Sequence, residues 1–206
     1  MKKAGIVFIS LGAAALFTAV AISGTVALMQ TNRTINNHLV SGDYKATLYL
    51  TSLVQDEFTA TGAIAPSTVD LSTYQGYEAG KGVNLSVYGE DIFNIERIVP
   101  TMSGTATFSL TNTGNVPFVY NANVINTVGY VYNEASHSFV ASDDVALLSQ
   151  LTITMNDENT EKMLTPSQTA NFSVSYLFPD LANNNDAINQ KVTFDISVTT
   201  TQVVKE

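Results

Sequence analysis

The sequence predicts an all-β fold, a jelly-roll-like β-sandwich with one short helix, preceded by an N-terminal signal helix. Three observations lead there. Apolar and polar residues alternate over a series of short segments, the period of a strand with one buried face. The composition is rich in Thr, Ser, Asn, Val, Tyr and Phe, the residues of strands and turns. The chain has 206 residues, 45% of them hydrophobic, and no cysteine, so one domain must be held by its core and not by cross-links.

The first element is an export signal. Lys2 and Lys3 precede a mostly apolar stretch over residues 4–27 that includes Ile6, Val7, Phe8, Ile9, Leu16, Phe17 and Val20. A basic start, an apolar middle and small residues at the end mark a secretory leader. Thr25-Val26-Ala27 places small residues for cleavage between Ala27 and Leu28. An uncleaved membrane anchor is the rival reading, because the stretch is long enough to span a bilayer. The expected organisation is therefore a signal peptide over 1–27, an extended N-terminal segment over 28–42 and a β-sandwich domain over 43–206.

The body reads as strands. In 44–51, Tyr44, Ala46, Leu48 and Leu50 share one face. Val83, Leu85 and Val87 alternate with Asn84, Ser86 and Tyr88. In 105–111, Ala106, Phe108 and Leu110 sit between Thr and Ser, and Asn112-Thr113-Gly114-Asn115 then predicts a turn. Strands follow at 116–124, 170–178 and 191–199, with shorter ones at 129–132 and 151–155. The last long one is the clearest: Val192, Phe194, Ile196 and Val198 point one way between polar residues. Helix is expected only at 143–150, capped by Ser142 with Asp143 and Asp144 in its first turn. Residues 55–82 read as an excursion or a mobile loop. Strands with one apolar face must bury it on a second sheet, and closure into a barrel is the alternative to a sandwich.

Composition excludes several chemistries. A formal charge of −9 opposes nucleic acid as a partner. Without cysteine there is no thiolate catalysis and no Cys-based zinc or iron–sulfur site. A catalytic zinc needs about three ligands, and the only histidines are His38 and His137, neither in His-Glu-x-x-His. No Gly-x-Ser-x-Gly elbow occurs. Neither a catalytic residue nor a cofactor is expected. Asp157, Asn159 and Glu161 fall at alternate positions like the start of a calcium loop, but Lys162 stands where such a loop has glycine, and a solvated acidic hairpin is the simpler reading. Asn32-Arg33-Thr34, Asn84-Leu85-Ser86 and Asn171-Phe172-Ser173 match the glycosylation sequon. Tyr74, Tyr77, Tyr88, Tyr120, Tyr130 and Tyr132 suit a sugar or partner surface and suit strand packing as well.

Three segments, in order, resemble the TasA/camelysin family of secreted biofilm-matrix fibre proteins. The first is Gly24-Thr25-Val26-Ala27 at the end of the leader, then Leu28-Met29-Gln30-Thr31-Asn32 and Ser41-Gly42-Asp43. The second is Ile98-Val99-Pro100-Thr101-Met102-Ser103-Gly104 with the strand and Asn-Thr-Gly-Asn turn that follow. The third is Phe178-Pro179-Asp180, Asn183-Asn184-Asn185, Asn189-Gln190, a strand and Thr201-Gln202. The chain departs from the family in having Leu28 and Met29 where an aromatic often follows the cleavage site. The resemblance implies a jelly-roll subunit processed by a dedicated signal peptidase and secreted to the cell surface. There it would build matrix fibres with itself or a related fibre subunit, each freed N-terminal segment entering the next copy as a strand. In this chain the donor would be residues 28–40, in which Met29, Ile35 and Leu39 share a parity among Thr31, Arg33 and Asn37. Pairing of that segment within its own subunit is the alternative. The family also implies a rival reading, a secreted metallopeptidase like camelysin; a monomeric surface adhesin or accessory fibre subunit is a third reading of the chain.

Overall fold

The computed structural model describes residues 25–30, 43–89, 91–95, 98–159 and 161–203. The signal expected before residue 25 therefore lies outside the described residues. Among the described residues no helix is long and apolar enough to cross a membrane.

The chain is an all-β sandwich of two packed sheets. The first holds β11 (Met163–Leu164), β8 (Phe118–Asn133), β13 (Gln190–Gln202), β1 (Thr25–Gln30) and β6 (Asn94–Ile95) in that spatial order, with β9 (Ser138–Ala141) beside β8. The second runs β10 (Thr152–Asn156), β12 (Thr169–Leu177), β7 (Ser103–Asn112), β2 (Ala46–Phe58), β5 (Gly82–Asn84) and β4 (Tyr77–Glu78), with β3 (Ile64–Thr68) beside β2. From β7 onward the chain changes sheet at nearly every connection, the jelly-roll habit. Pairing is antiparallel throughout the described strands, except that β1 lies parallel to β13.

Alternation explains the core. Ala106, Phe108 and Leu110 of β7, Phe172, Val174 and Tyr176 of β12, and Phe194, Ile196 and Val198 of β13 are all buried. They meet in one apolar layer. Phe108 stacks on Phe172 at 5.3 Å between ring centres, and Phe93 meets Tyr176 edge-on at 5.2 Å. A smaller cluster of Val145, Leu147, Phe178 and Val192 seats the short helix α1 (Ala146–Gln150) at one end.

Several expectations need correction. The first body strand does not stop near residue 51. A bulge between Leu50 and Ser52 inserts one residue, and β2 then runs on to Phe58 with Leu53 buried. The turn carrying Gly82 crosses so closely there that a Cβ on Gly82 would lie 2.2 Å from the Leu50 carbonyl oxygen, and φ of Gly82 is +106°. The stretch 55–82 is thus not a loop. It carries the end of β2, β3, a 3₁₀ turn over Leu71–Thr73 and β4.

The strand predicted over 83–88 ends at Asn84, whose side-chain oxygen accepts from the Ser86 N–H and bends the chain, leaving Val87 half exposed. The helix begins at Ala146, with no side-chain cap on it; the Ser142 hydroxyl accepts from Asp144 N–H one turn too early. The strands expected at 116–124 and 129–132 are one, β8, which bulges at Asn126 and Thr127 opposite Phe194, with Asn126 at φ +52°. The turn after β7 forms as expected, organised by Asn112. Its buried side-chain amide donates to the Val116 and Leu164 carbonyls, and its oxygen accepts from the Gly114 N–H.

Candidate functional site

Three places gather chemistry: a strand slot at β13, the acidic loop after β10, and the outer face of the second sheet.

The slot comes first, because the expected processing point lies in it. β13 is long and pairs with β8 over its whole length. On its other edge its partner among the described residues is β1, in the register Ala27–Phe194, Leu28–Asp195, Met29–Ile196 and Gln30–Ser197. The N-terminal end of β1 pairs with β6 through Thr25–Ile95 and Val26–Asn94. Ala27, Leu28 and Met29 therefore lie inside a strand of their own subunit. Thr31, Ile35 and Leu39 fall outside the described residues. Among the described residues, no strand covers this edge of β13 beyond Ser197. Asp195 is buried at the slot, its carboxylate accepting from the Asn126 amide at 2.7 Å.

The acidic loop brings Asp157 and Asn159 together. The Asp157 carboxylate accepts from the Asn159 amide at 2.6 Å and the Tyr120 hydroxyl at 3.2 Å, and pairs with the Lys162 ammonium at 2.7 Å. Lys162 also sits 5.4 Å over the Tyr120 ring. Burial works to raise the Asp157 carboxyl, but the hydrogen bonds from Lys162 and Asn159 and the lysine charge outweigh it and hold the group below the ordinary carboxylate value. Burial, then the Asp157 charge, push the Tyr120 phenol up to about 12. The lysine ammonium is thus the counter-charge of the carboxylate in this loop, and Glu161 is exposed. Among the described residues, no group of three or more His, Asp or Glu side chains is placed to hold a metal. His137 lies in the exposed turn between β8 and β9, its Nδ1 3.5 Å from the Tyr132 hydroxyl; His38 is outside the described residues.

The third place is one that sequence reasoning missed. Strand register aligns the outward residues of β2, β7, β12 and β10 in rows. Thr47, Thr111 and Thr169 form one row, and Tyr49, Ser109 and Asn171 the next. Ser52, Thr107, Ser173 and Asn156 form a third, and Val54, Thr105, Ser175 and Thr154 a fourth. Adjacent hydroxyls bond in places, as between Thr111 and Thr169 at 2.9 Å. No Lys, Arg, Asp or Glu interrupts these rows.

The turn at Gly80 and Lys81 stands over this face and divides two clefts. One, of about 490 Å³, is lined by Tyr49, Thr107, Ser109, Thr111 and Asn171 among others. The other, of about 460 Å³, is lined by Thr51, Ser52, Thr68, Asp70 and Tyr77 among others. Both touch Thr51, Gly80 and Lys81. Lys81 is neutralised by Glu78 at 2.9 Å and lies 5.8 Å from the Tyr49 ring, while the Tyr49 hydroxyl donates to Glu78 at 3.1 Å.

The other marked residues have structural partners or lie exposed. Tyr74 stacks on Tyr88 at 5.2 Å, Tyr132 packs edge-on against Phe139 at 5.4 Å, and Lys191 sits 5.5 Å over the Tyr130 ring. Of the sequons, Asn84 uses its side chain in the turn after β5, Asn171 is exposed at the first cleft, and Asn32 is outside the described residues. Comparison of the chain with protein-family models, with curated proteins and with solved structures finds no match.

Proposed function

We propose that this chain is an exported structural subunit of a cell-surface fibre, joined head to tail by passing residues 28–40 into a neighbour as a strand. The observation that carries the reading is the position of β1. It lies on the second edge of β13 over Phe194 to Ser197, it is the one parallel partner among the described strands, and it straddles the bond where the leader would be cut. Cleavage after Ala27 would remove Thr25 and Val26, which make the pairs with β6, and Ala27, which makes the first pair with β13. Of the described strand, Leu28 to Gln30 then remains, a short parallel ladder with few bonds. The exposed edge of β13 then presents unpaired N–H and C=O groups, the standard template for a strand from another molecule. One slot and one tail on each copy make a heterologous contact that does not close, so copies add into a filament.

The net charge of −9 suits a subunit kept soluble until its tail is freed. The resemblance to the TasA/camelysin proteins points the same way. Electron microscopy of a chain beginning at Leu28 tests the reading. Fibres are expected from it and not from the same chain lacking residues 28–40. Equal fibres from both would remove strand donation, and a lasting monomer in both would leave an adhesin or accessory subunit.

A further inference from the structure

We infer that the outer face of the second sheet binds a neutral polysaccharide, with the cleft beside Lys81 as its main subsite. The chemistry of the face sets the ligand class. Its outward residues on β7, β10 and β12 are Thr, Ser and Asn, ending only at one corner in the exposed Leu177. A chain of net charge −9 has many acidic side chains to place, and it places none among these rows. The cation at the clefts, Lys81, is already paired with Glu78, which weakens its pull on a polyanion. A protein partner would want an exposed aromatic or methionine-rich centre, whereas the aromatic in these rows, Tyr49, is 8% exposed with its hydroxyl held by Glu78. A sugar chain presents hydroxyls that both donate and accept, as Thr, Ser and Asn do.

Spacing and shape agree with that class. Rows repeat at about 4.8 Å across the strands and about 6.7 Å along them, so hydroxyl partners recur at close to the length of one pyranose unit. Thr107 and Ser109 are half-buried on the cleft floor, Asn171 is exposed at its side, and their side chains form no hydrogen bond among the described residues. The Tyr49 ring closes one wall, and Tyr77, 41% exposed, lines the second cleft beyond the Gly80–Lys81 turn. Rigid tyrosines supply contact area and adaptable Ser and Asn groups supply hydrogen bonds, as in other recognition surfaces. Each cleft falls in the range of roughly 300–1,000 Å³ that small ligands fill.

Surface plasmon resonance of the chain from Leu28, kept below the concentration at which it assembles, tests the inference. Hydroxyethylcellulose, laminarin and dextran would be immobilised in turn, with alginate as the charged control. Binding is expected to at least one neutral polymer and not to alginate. Ser109→Lys should weaken it about tenfold. Asn171→Ala, which removes an exposed amide without adding bulk, should weaken it less. Thr199→Lys, on an exposed position of the other sheet, should leave it unchanged. Thermal melting of each variant confirms that the fold is kept. Three results would overturn the inference: no binding to any neutral polymer, equal binding by Ser109→Lys and Thr199→Lys, or a Ser109→Lys effect confined to self-association, which would make the face a contact between copies.

Discussion

Asp157 shows how a residue's meaning depends on what the fold brings to it. In the sequence it heads an acidic run; in the sandwich it is the hub that ties the loop after β10 to Tyr120 of β8 and to Lys162. The acid and its asparagine were legible, and Lys162 was legible as a misfit for a calcium loop. Tyr120 was not, because it arrives from a distant strand. Charged hydrogen bonds of this kind contribute about 1.5–3 kcal/mol, so Asp157→Ala should lower stability by about 2 kcal/mol at pH 7. The folded carboxyl lies below its ordinary value of 3.8. Its contribution is therefore complete above pH 3.8 and is lost as pH falls through the lower folded value. Urea unfolding across this range should show the gap between parent and variant closing on the acid side; a gap that stays constant would contradict the network. Gly82 gives a second test. With φ at +106° and the Leu50 carbonyl 2.2 Å from where a Cβ would sit, Gly82→Ala should cost about 1–3 kcal/mol or more in the same assay.

Strands were read well wherever the period of two was unbroken. β7, β12 and β13 each keep an apolar residue at every second position, and the structure finds each within about three residues of the expected bounds. β2 was cut short for a definable reason. The bulge beside Thr51 switches parity, so Leu48, Leu50 and Leu53 all point inward although their spacing is not even. The hydroxyl face was half visible, as Thr and Ser at the outward positions of single strands. That the strands carrying it stand side by side follows from long-range pairing, which no local pattern encodes. Core packing between elements is open to a direct test. Phe108 is fully buried and stacked on Phe172, so Phe108→Ala should cost about 3–5 kcal/mol in urea unfolding, far more than Ser109→Ala on the other side of the same strand.

The whole molecule couples a closed body to one long strand whose second edge, among the described residues, is covered only in part. Sandwich sheets normally protect their edges, because an open edge invites another chain. Here the covering strand is β1, and the expected leader cleavage would halve it. A body made stable by its own core, with a tail that on the proposed reading passes into a neighbour's slot, has what a fibre subunit needs. The same arrangement explains why a precursor that retains its leader should stay monomeric in sedimentation, while the chain from Leu28 grows with concentration.

The register of β1 allows the most direct measurement. The chain has no cysteine, so single substitutions give an unambiguous cross-link. Met29 stands opposite Ile196 in the β13 slot. Chains from Leu28 carrying Met29→Cys would be mixed with chains carrying Ile196→Cys, oxidised during assembly and run on a non-reducing gel. Strand exchange predicts a mixed disulfide joining the two variants, formed as fibres grow. No bond between the mixed chains, together with a purely intramolecular bond when both cysteines are on one copy, would show that the tail stays at home and would contradict it.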